Sequence, residues 1–202
     1  MTSKRLRILI AGGDVRRAAI LAEGLQDAAV VARFDGGAHL GARVAALDPD
    51  VILVDLGKPS EAALAQTLDL ARSARRPIAV FVDESDAAAM EAAVEAGVSA
   101  YVVDGLKKER IKAIVDLAVA RFRALERVQD ELRRAREALE ERKLVERAKS
   151  ILMQQRNLSE QDAYTLLRRT AMSRNRKLVD LARAVIDAAG LLRESDVNAG
   201  DE

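Results

Sequence analysis

Several residue types are missing or rare in this sequence of 202 residues. There is no cysteine, so neither a disulfide framework nor a thiolate metal site can form. The single histidine, His39, cannot build a histidine-rich metal centre, and no cluster of residues pairs a nucleophile with its base. We therefore expect no enzymatic activity, no metal and no cofactor. No apolar run reaches the length of about 18 residues that a membrane-spanning helix needs, so the expected location is the cytoplasm.

Aromatic side chains are also scarce in this chain. The five aromatic residues are Phe34, Phe81, Tyr101, Phe122 and Tyr164. Modules that stack several RNA bases on exposed aromatic rings need more rings than this. Any nucleic-acid binding is therefore expected to depend on Arg and Lys contacts and on shape.

Glycine and proline are both absent between Leu106 and Ala189, so this long stretch is predicted to be helical. Within residues 107–141 the apolar residues follow a heptad repeat, which predicts a coiled coil interrupted by Arg121 and Arg142. The predicted dimer seam consists of Ile111, Ala118, Leu125, Val128, Leu132 and Leu139. We expect the first turns to pack on the preceding domain and the later turns on a second copy of the chain. The alternative is a contact with the C-terminal helices of the same chain.

Beyond the coiled coil, residues 142–193 predict three shorter amphipathic helices that share one apolar core. Breaks are expected near Asn157 and at residues 173–175. Ser159 is the predicted N-cap of the middle helix, with Asp162 at the position of a capping-box acid. Residues 194–202 are polar and acidic, and we expect them to be disordered.

The predicted C-terminal helices are strongly basic, although the whole chain has a net charge of only +1. Between Arg142 and Arg193 there are 12 basic and 5 acidic side chains. A basic helical bundle predicts an anionic partner, with nucleic acid first. The candidate residues for binding nucleic acid are Lys143, Arg147, Lys149, Arg156, Arg168, Arg169, Arg174, Arg176 and Lys177. About half of them are expected to touch the nucleic acid, and the others to serve solubility alone.

Three motifs follow one another in this basic segment: ERAKSILMQ, LSEQDAYTLLRRTAM and KLVDLARAVI. In this order and spacing they resemble the ANTAR module, which is the RNA-binding domain of the AmiR and NasR family of bacterial transcription antiterminators. The resemblance covers about a quarter of the chain. It implies binding to paired hairpins in leader RNA and read-through of a terminator.

Residues 1–106 have a different character. They carry 11 basic and 15 acidic side chains, hold all three prolines, and alternate short Val- and Ile-rich runs with amphipathic segments. This alternation predicts an α/β domain with a parallel sheet. The predicted strands are Leu6–Ala11, Val30–Phe34, Val51–Asp55, Ile78–Val82 and Ala100–Val103.

The ends of these strands resemble those of a response-regulator receiver domain, which has a flavodoxin-like fold. The motif PDVILVDL places Asp55 at the phosphoacceptor position. Gly12 and Gly13 stand where receivers carry two acidic metal ligands, and Asp104 stands where they carry lysine. Asp14, one residue later, is expected to point elsewhere. Phosphoryl transfer needs Mg²⁺ on oxygen ligands and a cation for the developing charge. The resemblance therefore implies a pseudo-receiver that is not phosphorylated by this route.

The predicted organisation is thus a pseudo-receiver domain in residues 1–106, a coiled-coil linker helix in 107–141, an ANTAR domain in 142–193 and a tail in 194–202. The joint pattern is most similar to the nitrate-assimilation regulator NasT within this family. In that subfamily a nitrate-sensing protein partner holds the regulator inactive. One alternative is a phosphorylation-controlled, DNA-binding response regulator whose last two helices form a helix-turn-helix. A pure interaction protein with an acidic partner is the other.

Overall fold

The computed structural model of the protein describes residues 5–25, 29–34, 40–104 and 106–198. It divides into two compact units, Met1–Arg127 and Val128–Glu202. The division lies inside the segment that the sequence predicts as a connecting helix. His39 and residues 199–202 lie outside the described residues, so the expectations for them stay predictions.

The first unit contains a five-stranded parallel sheet, as the sequence predicts. Its strands are β1 (Arg7–Gly12), β2 (Ala29–Phe34), β3 (Val51–Gly57), β4 (Ile78–Val82) and β5 (Ala100–Val103). They lie in the order β2-β1-β3-β4-β5. The three strands β1, β3 and β4 are almost completely buried, because helices cover both faces of the sheet.

Three of the helices that cover the sheet begin at short polar side chains that cap their free N–H groups. The four helices within the strand crossovers are α1 (Val15–Glu23), α2 (Leu40–Leu47), α3 (Glu61–Ser73) and α4 (Ala87–Glu95). Asp14, Ser60 and Asp86 cap α1, α3 and α4 through their side-chain oxygens. One core cluster packs α1 against the sheet, and a second core cluster packs α2, α3 and α4 against its other face. The predicted receiver-like fold is therefore confirmed.

The next helix, α5 (Lys108–Arg156), runs without interruption for 49 residues. Its first turns complete the core beside α1, where Ile111, Val115 and Ala118 are buried. This position corrects part of the predicted dimer seam. Ile111 and Ala118 have no exposed surface to offer to a second chain, because the receiver core already uses it.

The later seam residues have a different environment from these two. Leu125, Val128, Leu132 and Leu139 are all among the large hydrophobic side chains that remain exposed in a single chain. They stay a predicted seam, now limited to the second half of the repeat.

The second unit is a three-helix arrangement built from the end of α5 with α6 (Glu160–Ser173) and α7 (Leu178–Asn198). Its core contains Ala148, Leu152, Ala163, Leu167, Ala171, Leu181 and Ala182. These apolar residues come from all three helices that the sequence predicts in residues 142–193, so the predicted shared core is confirmed. Helix α7 reaches Asn198, which is inside the segment predicted to be disordered.

Two asparagines replace glycine at the breaks between these helices. Asn157 follows the last residue of α5 with a φ of 51°, and Asn175 follows α6 with the same value. Asn tolerates this left-handed conformation better than most residues, so helices can end here without glycine. Ser159 accepts a hydrogen bond from the Asp162 N–H at 3.1 Å, which confirms it as the N-cap of α6. None of the helices in the described ranges has the length and apolar character that a membrane crossing requires.

Candidate functional site

The carboxyl edge of the parallel sheet brings two acidic side chains together, where such folds place their functional groups. Asp55 lies at the end of β3, is 1% exposed, and pairs in register with Gly12 of β1. Asp83 follows the last residue of β4 directly. A buried carboxylate needs a positive partner or several hydrogen bonds to remain charged.

Arg17 from α1 supplies that positive partner. Its Nε donates to Asp55 Oδ2 at 2.7 Å, and its Nη2 donates to Asp55 Oδ1 at 2.7 Å. The remaining Nη1 donates to Asp83 Oδ1 at 2.7 Å. The hydrogen bonds to Asp55 raise the pKa of the Arg17 guanidinium above its ordinary value. One arginine therefore joins the ends of two strands to α1 and neutralises the acceptor-like carboxylate.

Gly12, the last residue of β1, and Gly13, which follows it, approach Asp55 very closely. Both have positive φ, 76° for Gly12 and 73° for Gly13. A Cβ on Gly12 would lie 2.3 Å from the Asp55 backbone oxygen, and one on Gly13 would lie 2.4 Å from Asp55 Oδ2. No side chain fits either position without a shift of the loop. The loop is thus shaped for bare backbone rather than for a pair of acidic ligands.

Neither of the other acidic candidates supplies a missing ligand here. The Asp14 side chain accepts from the Arg17 N–H at 2.8 Å, which caps α1 and lowers the Asp14 pKa. This hydrogen bond confirms that Asp14 points elsewhere. Asp104 is exposed after β5 with a φ of 48°. Within the described parts of the chain, no group of three or more His, Asp or Glu residues is arranged to hold a metal ion.

A cavity of about 230 Å³ lies beside Asp55. Backbone of Gly12 and Gly13 forms one wall, and Gln66 and Thr67 of α3 form another. The Thr67 hydroxyl donates to the Ala63 carbonyl at 2.9 Å, so it is already satisfied within its helix. Among the described residues that line the cavity, Asp55 alone has an acidic or basic side chain, and Arg17 holds it from the side of α1.

The basic side chains proposed from the sequence lie in the second unit, and most of them are exposed. Eight of the nine residues face solvent: Lys143, Arg147, Arg156, Arg168, Arg169, Arg174, Arg176 and Lys177. They are distributed over the end of α5, the outer face of α6 and the turn that precedes α7. The turn cations lie close to the N–H groups of the first turn of α7, which also favour phosphate.

Lys149 is placed differently from the other eight residues. It is only 7% exposed, and its Nζ donates to Glu146 Oε2 at 2.8 Å and to Glu160 Oε1 at 2.7 Å. The two glutamates raise the pKa of Lys149, and Lys149 lowers the pKa of Glu160. Because Glu146 belongs to α5 and Glu160 to α6, this lysine ties the two helices together.

Sequence reasoning missed Arg17, Asp83 and the exposure of Tyr164. The sequence does contain a signal for Arg17. A chain that retains the strand-end aspartate but lacks the receiver lysine needs another cation to balance the charge of that carboxylate. Nothing in the spacing shows which of the neighbouring residues Arg16 and Arg17 supplies it. Tyr164 is 42% exposed on α6, one turn before Arg168.

Comparison with known proteins agrees with this division of the chain. Residues 133–186 match the ANTAR domain family. The transcriptional regulatory protein PdtaR of Mycobacterium tuberculosis is 31% identical over 147 residues, which are 73% of this chain and 72% of that protein. The nitrate regulatory protein of Klebsiella oxytoca is 37% identical over 82 residues, 41% of this chain and 21% of that protein.

The first unit also resembles solved receiver structures. The signal receiver domain of a modulated diguanylate cyclase from Desulfovibrio desulfuricans has a TM-score of 0.52 and 20% identity. The match covers 60% of this chain and 98% of that domain. At this identity the likeness concerns the fold alone. Taken with the relatives above, these matches show that the chain belongs to the ANTAR-domain transcriptional regulators that carry a receiver-like domain.

Proposed function

We propose that this chain is an RNA-binding transcription antiterminator that acts on hairpins in leader RNA. One observation carries the proposal: in residues 133–186, which match the ANTAR domain, 13 exposed basic side chains stand against 7 exposed acidic ones. Its role is regulatory rather than enzymatic, and its place of action is the cytoplasm.

The eight exposed cations form the proposed RNA contact surface. Phosphate groups attract such side chains irrespective of sequence, and most of the affinity for nucleic acid comes from this term. Lys149 is left out of the surface, because two glutamates already neutralise it inside the unit. It serves instead to hold α6 against α5, so that the cations of both helices keep fixed positions.

Two copies of the chain associate through α5 in this proposal. Leu125, Val128, Leu132 and Leu139 recur at coiled-coil spacing and are exposed in the single chain. A parallel pair of such helices would bring two ANTAR units together, which matches the expectation that paired hairpins are bound.

Control is proposed to come from a ligand-sensing protein partner rather than from phosphorylation of Asp55. The bidentate contact of Arg17 with Asp55 supports this, since the carboxylate oxygens are already engaged. Similarity to the nitrate regulatory protein supports nitrate and nitrite assimilation genes as the targets and a nitrate sensor as the partner.

The test is a binding assay with the full chain over a series of salt concentrations. The probes are an RNA hairpin selected with this protein from a pool with a fixed stem and a randomised loop, the same stem with a scrambled loop, and duplex DNA. If Z phosphates are contacted, log affinity falls with log salt with a slope of about −0.7Z to −0.9Z. We expect the selected hairpin to bind most tightly at every salt concentration.

Two other results would contradict the proposal. Equal binding to all three probes would make the basic surface a nonspecific polyanion site. Tighter binding to duplex DNA would favour the DNA-binding response regulator instead.

A further inference from the structure

Tyr164 is the only aromatic residue in the second unit, and the fold leaves it at the surface. It is 42% exposed, whereas Phe81 in the receiver core is 1% exposed. The hydroxyl of the other tyrosine, Tyr101, is paired with Ser85 Oγ at 3.0 Å. Among the residues that the structure describes, no such hydrogen bond is recorded for Tyr164. The ring is therefore not needed to fill the core, and its polar end is not used to fix it.

We propose that Tyr164 stacks on an unpaired base in the loop of the bound RNA hairpin and so makes binding depend on the loop. This inference rests on the proposed RNA-binding function and names the residue that reads the loop. Loops are the parts of RNA in which bases are free to leave the stack, and aromatic rings are their usual partners.

The position of Tyr164 on α6 supports this role. Ala163, Leu167 and Ala171 form the buried face of the helix. Tyr164 and Arg168 are separated by one turn on the neighbouring exposed edge, so their Cβ atoms lie about 6 Å apart. When a base stacks on the Tyr164 ring, the Arg168 guanidinium is therefore within reach of the phosphate of that nucleotide or of the next one. Arg169 adds a second cation on the exposed side of the same helix.

The start of α6 is held in place, which suits a stacking platform. Glu160, one turn before Tyr164, accepts from Lys149 Nζ at 2.7 Å and thereby fixes the beginning of α6 to α5. Ser159 caps the same end of the helix. A tyrosine on a fixed helix has few rotatable bonds to immobilise, so little conformational entropy is lost when a base stacks on it.

The charge of the surroundings decides between RNA and an apolar protein partner for this ring. Exposed basic side chains outnumber exposed acidic ones by 13 to 7 in residues 133–186, and Arg168 and Arg169 follow Tyr164 closely in sequence and on the helix surface. The acidic neighbour on the other side, Glu160, is already paired with Lys149. A hydrophobic protein surface would have to desolvate both guanidinium groups, whereas RNA neutralises them. Met172, which is 71% exposed one turn beyond Arg168, extends the same edge with a polarizable side chain.

The first experiment compares Tyr164→Leu with Tyr164→Phe in the full chain, using the selected hairpin. Loss of one stacked base predicts binding about 5- to 150-fold weaker for Tyr164→Leu. Tyr164→Phe keeps the ring and is expected to bind within about twofold of the wild type, on the same stacking argument. The salt slope should be unchanged in both, whereas Arg168→Gln should reduce it by about one.

A second experiment uses the absence of tryptophan from the chain. Tyr164→Trp provides a single fluorophore, and stacking on a base should quench its emission when the selected hairpin is added. A hairpin with abasic sites in the loop should bind without this quenching. In the control Tyr101→Trp, emission should not change with either RNA. The Tyr164→Leu variant and the wild type should bind the abasic hairpin with equal affinity.

Two results would overturn the inference while leaving the proposed function in place. One is unchanged affinity of Tyr164→Leu for the selected hairpin. The other is an equal loss of affinity for the intact and the abasic hairpins, which would assign Tyr164 a structural role only. If selection with the wild-type chain yields no hairpin, the proposed function fails and the inference fails with it.

Discussion

Arg17 and Asp55 form a bidentate ion pair in which both carboxylate oxygens accept hydrogen bonds of 2.7 Å. Parallel N–H to O contacts of this kind are among the strongest hydrogen bonds in proteins. The Asp55 side chain has no exposed surface, and that of Arg17 is 24% exposed. Arg17 therefore supplies the positive charge that the buried Asp55 carboxylate needs.

The ion pair predicts that Asp55 is not a working phosphoacceptor. Its oxygens are engaged, and Gly12 and Gly13 at the carboxyl end of β1 provide no side-chain metal ligand. We expect no stoichiometric phosphoryl adduct when the full chain is incubated with Mg²⁺ and acetyl phosphate and its intact mass is measured. Asp55→Asn is the matched control. A single adduct in the wild type that is absent from this control would contradict the prediction.

Removal of Arg17 should destabilise the receiver unit. Arg17→Met leaves Asp55 buried without a cation, which should cost about 3 kcal/mol, the low end of the range because the arginine is partly exposed. The double variant Arg17→Met with Asp55→Asn should recover much of this loss, because no uncompensated charge remains. The measurement is chemical unfolding of the wild type, the single variant and the double variant.

The neighbouring exposed arginine provides the matched control for this cycle. Arg16→Met should change the free energy of unfolding by less than about 0.5 kcal/mol, as surface substitutions usually do. Equal destabilisation by the two substitutions would show that the ion pair with Asp55 is not the cause.

Self-association is predicted to depend on the exposed half of the heptad repeat. Leu125→Asp with Leu132→Asp would place charges in an apolar seam, at a cost of several kcal/mol that dissociation avoids. Light scattering should give a dimer for the wild type and a monomer for the double variant. The same mass for both proteins would argue against the seam.

The charges beside the seam predict that the two helices are parallel. Glu131 and Arg136 occupy g and e positions, which lie opposite each other across a parallel pair of helices. In an antiparallel pair, neither of these two residues would face an opposite charge. Since the chain has no cysteine, Leu125→Cys and Leu139→Cys can each be oxidised as a single-cysteine variant. Both should form disulfide-linked dimers if the helices are parallel and in register. Cross-linking only in a mixture of the two would indicate an antiparallel pair.

Lys149 and Arg147 should differ in how they affect RNA binding, although only one residue separates them. Arg147→Gln should lower the salt slope by about one with an unchanged melting temperature, because Arg147 is exposed. Lys149→Gln should lower the melting temperature of the second unit and leave the salt slope unchanged, since its cation is held by Glu146 and Glu160. The reverse pattern would place Lys149 on the RNA surface.

Most of the fold was predictable because its signals are local. Val- and Ile-rich runs gave all five strands, and the missing glycines and prolines gave the long helix. Ser159 was recognisable as a cap because capping depends on residues that are near in sequence. The heptad repeat, by contrast, cannot separate Ile111 from Leu125. Both occupy the same position of the repeat, and only tertiary packing assigns the first to the receiver core.

The candidate sites depended more on contacts between distant parts of the chain. Arg17 reaches Asp55 and Asp83 from a different helix, and the sequence does not encode that distance. The sequence cannot distinguish Lys149 from the surface cations, because charge alone does not reveal burial. Tyr164 could not be singled out from the five aromatic residues, because the number of rings does not show which of them is exposed.

The central claim is tested most directly by single-round transcription from a DNA template in which the selected hairpin overlaps an intrinsic terminator. The wild-type chain should increase read-through in proportion to hairpin occupancy, and Arg168→Gln with Arg169→Gln should increase it only at higher protein concentrations. A template whose terminator lacks the hairpin sequence should not respond. Unchanged termination at concentrations that saturate the hairpin would contradict the account, because it would leave RNA binding without antitermination.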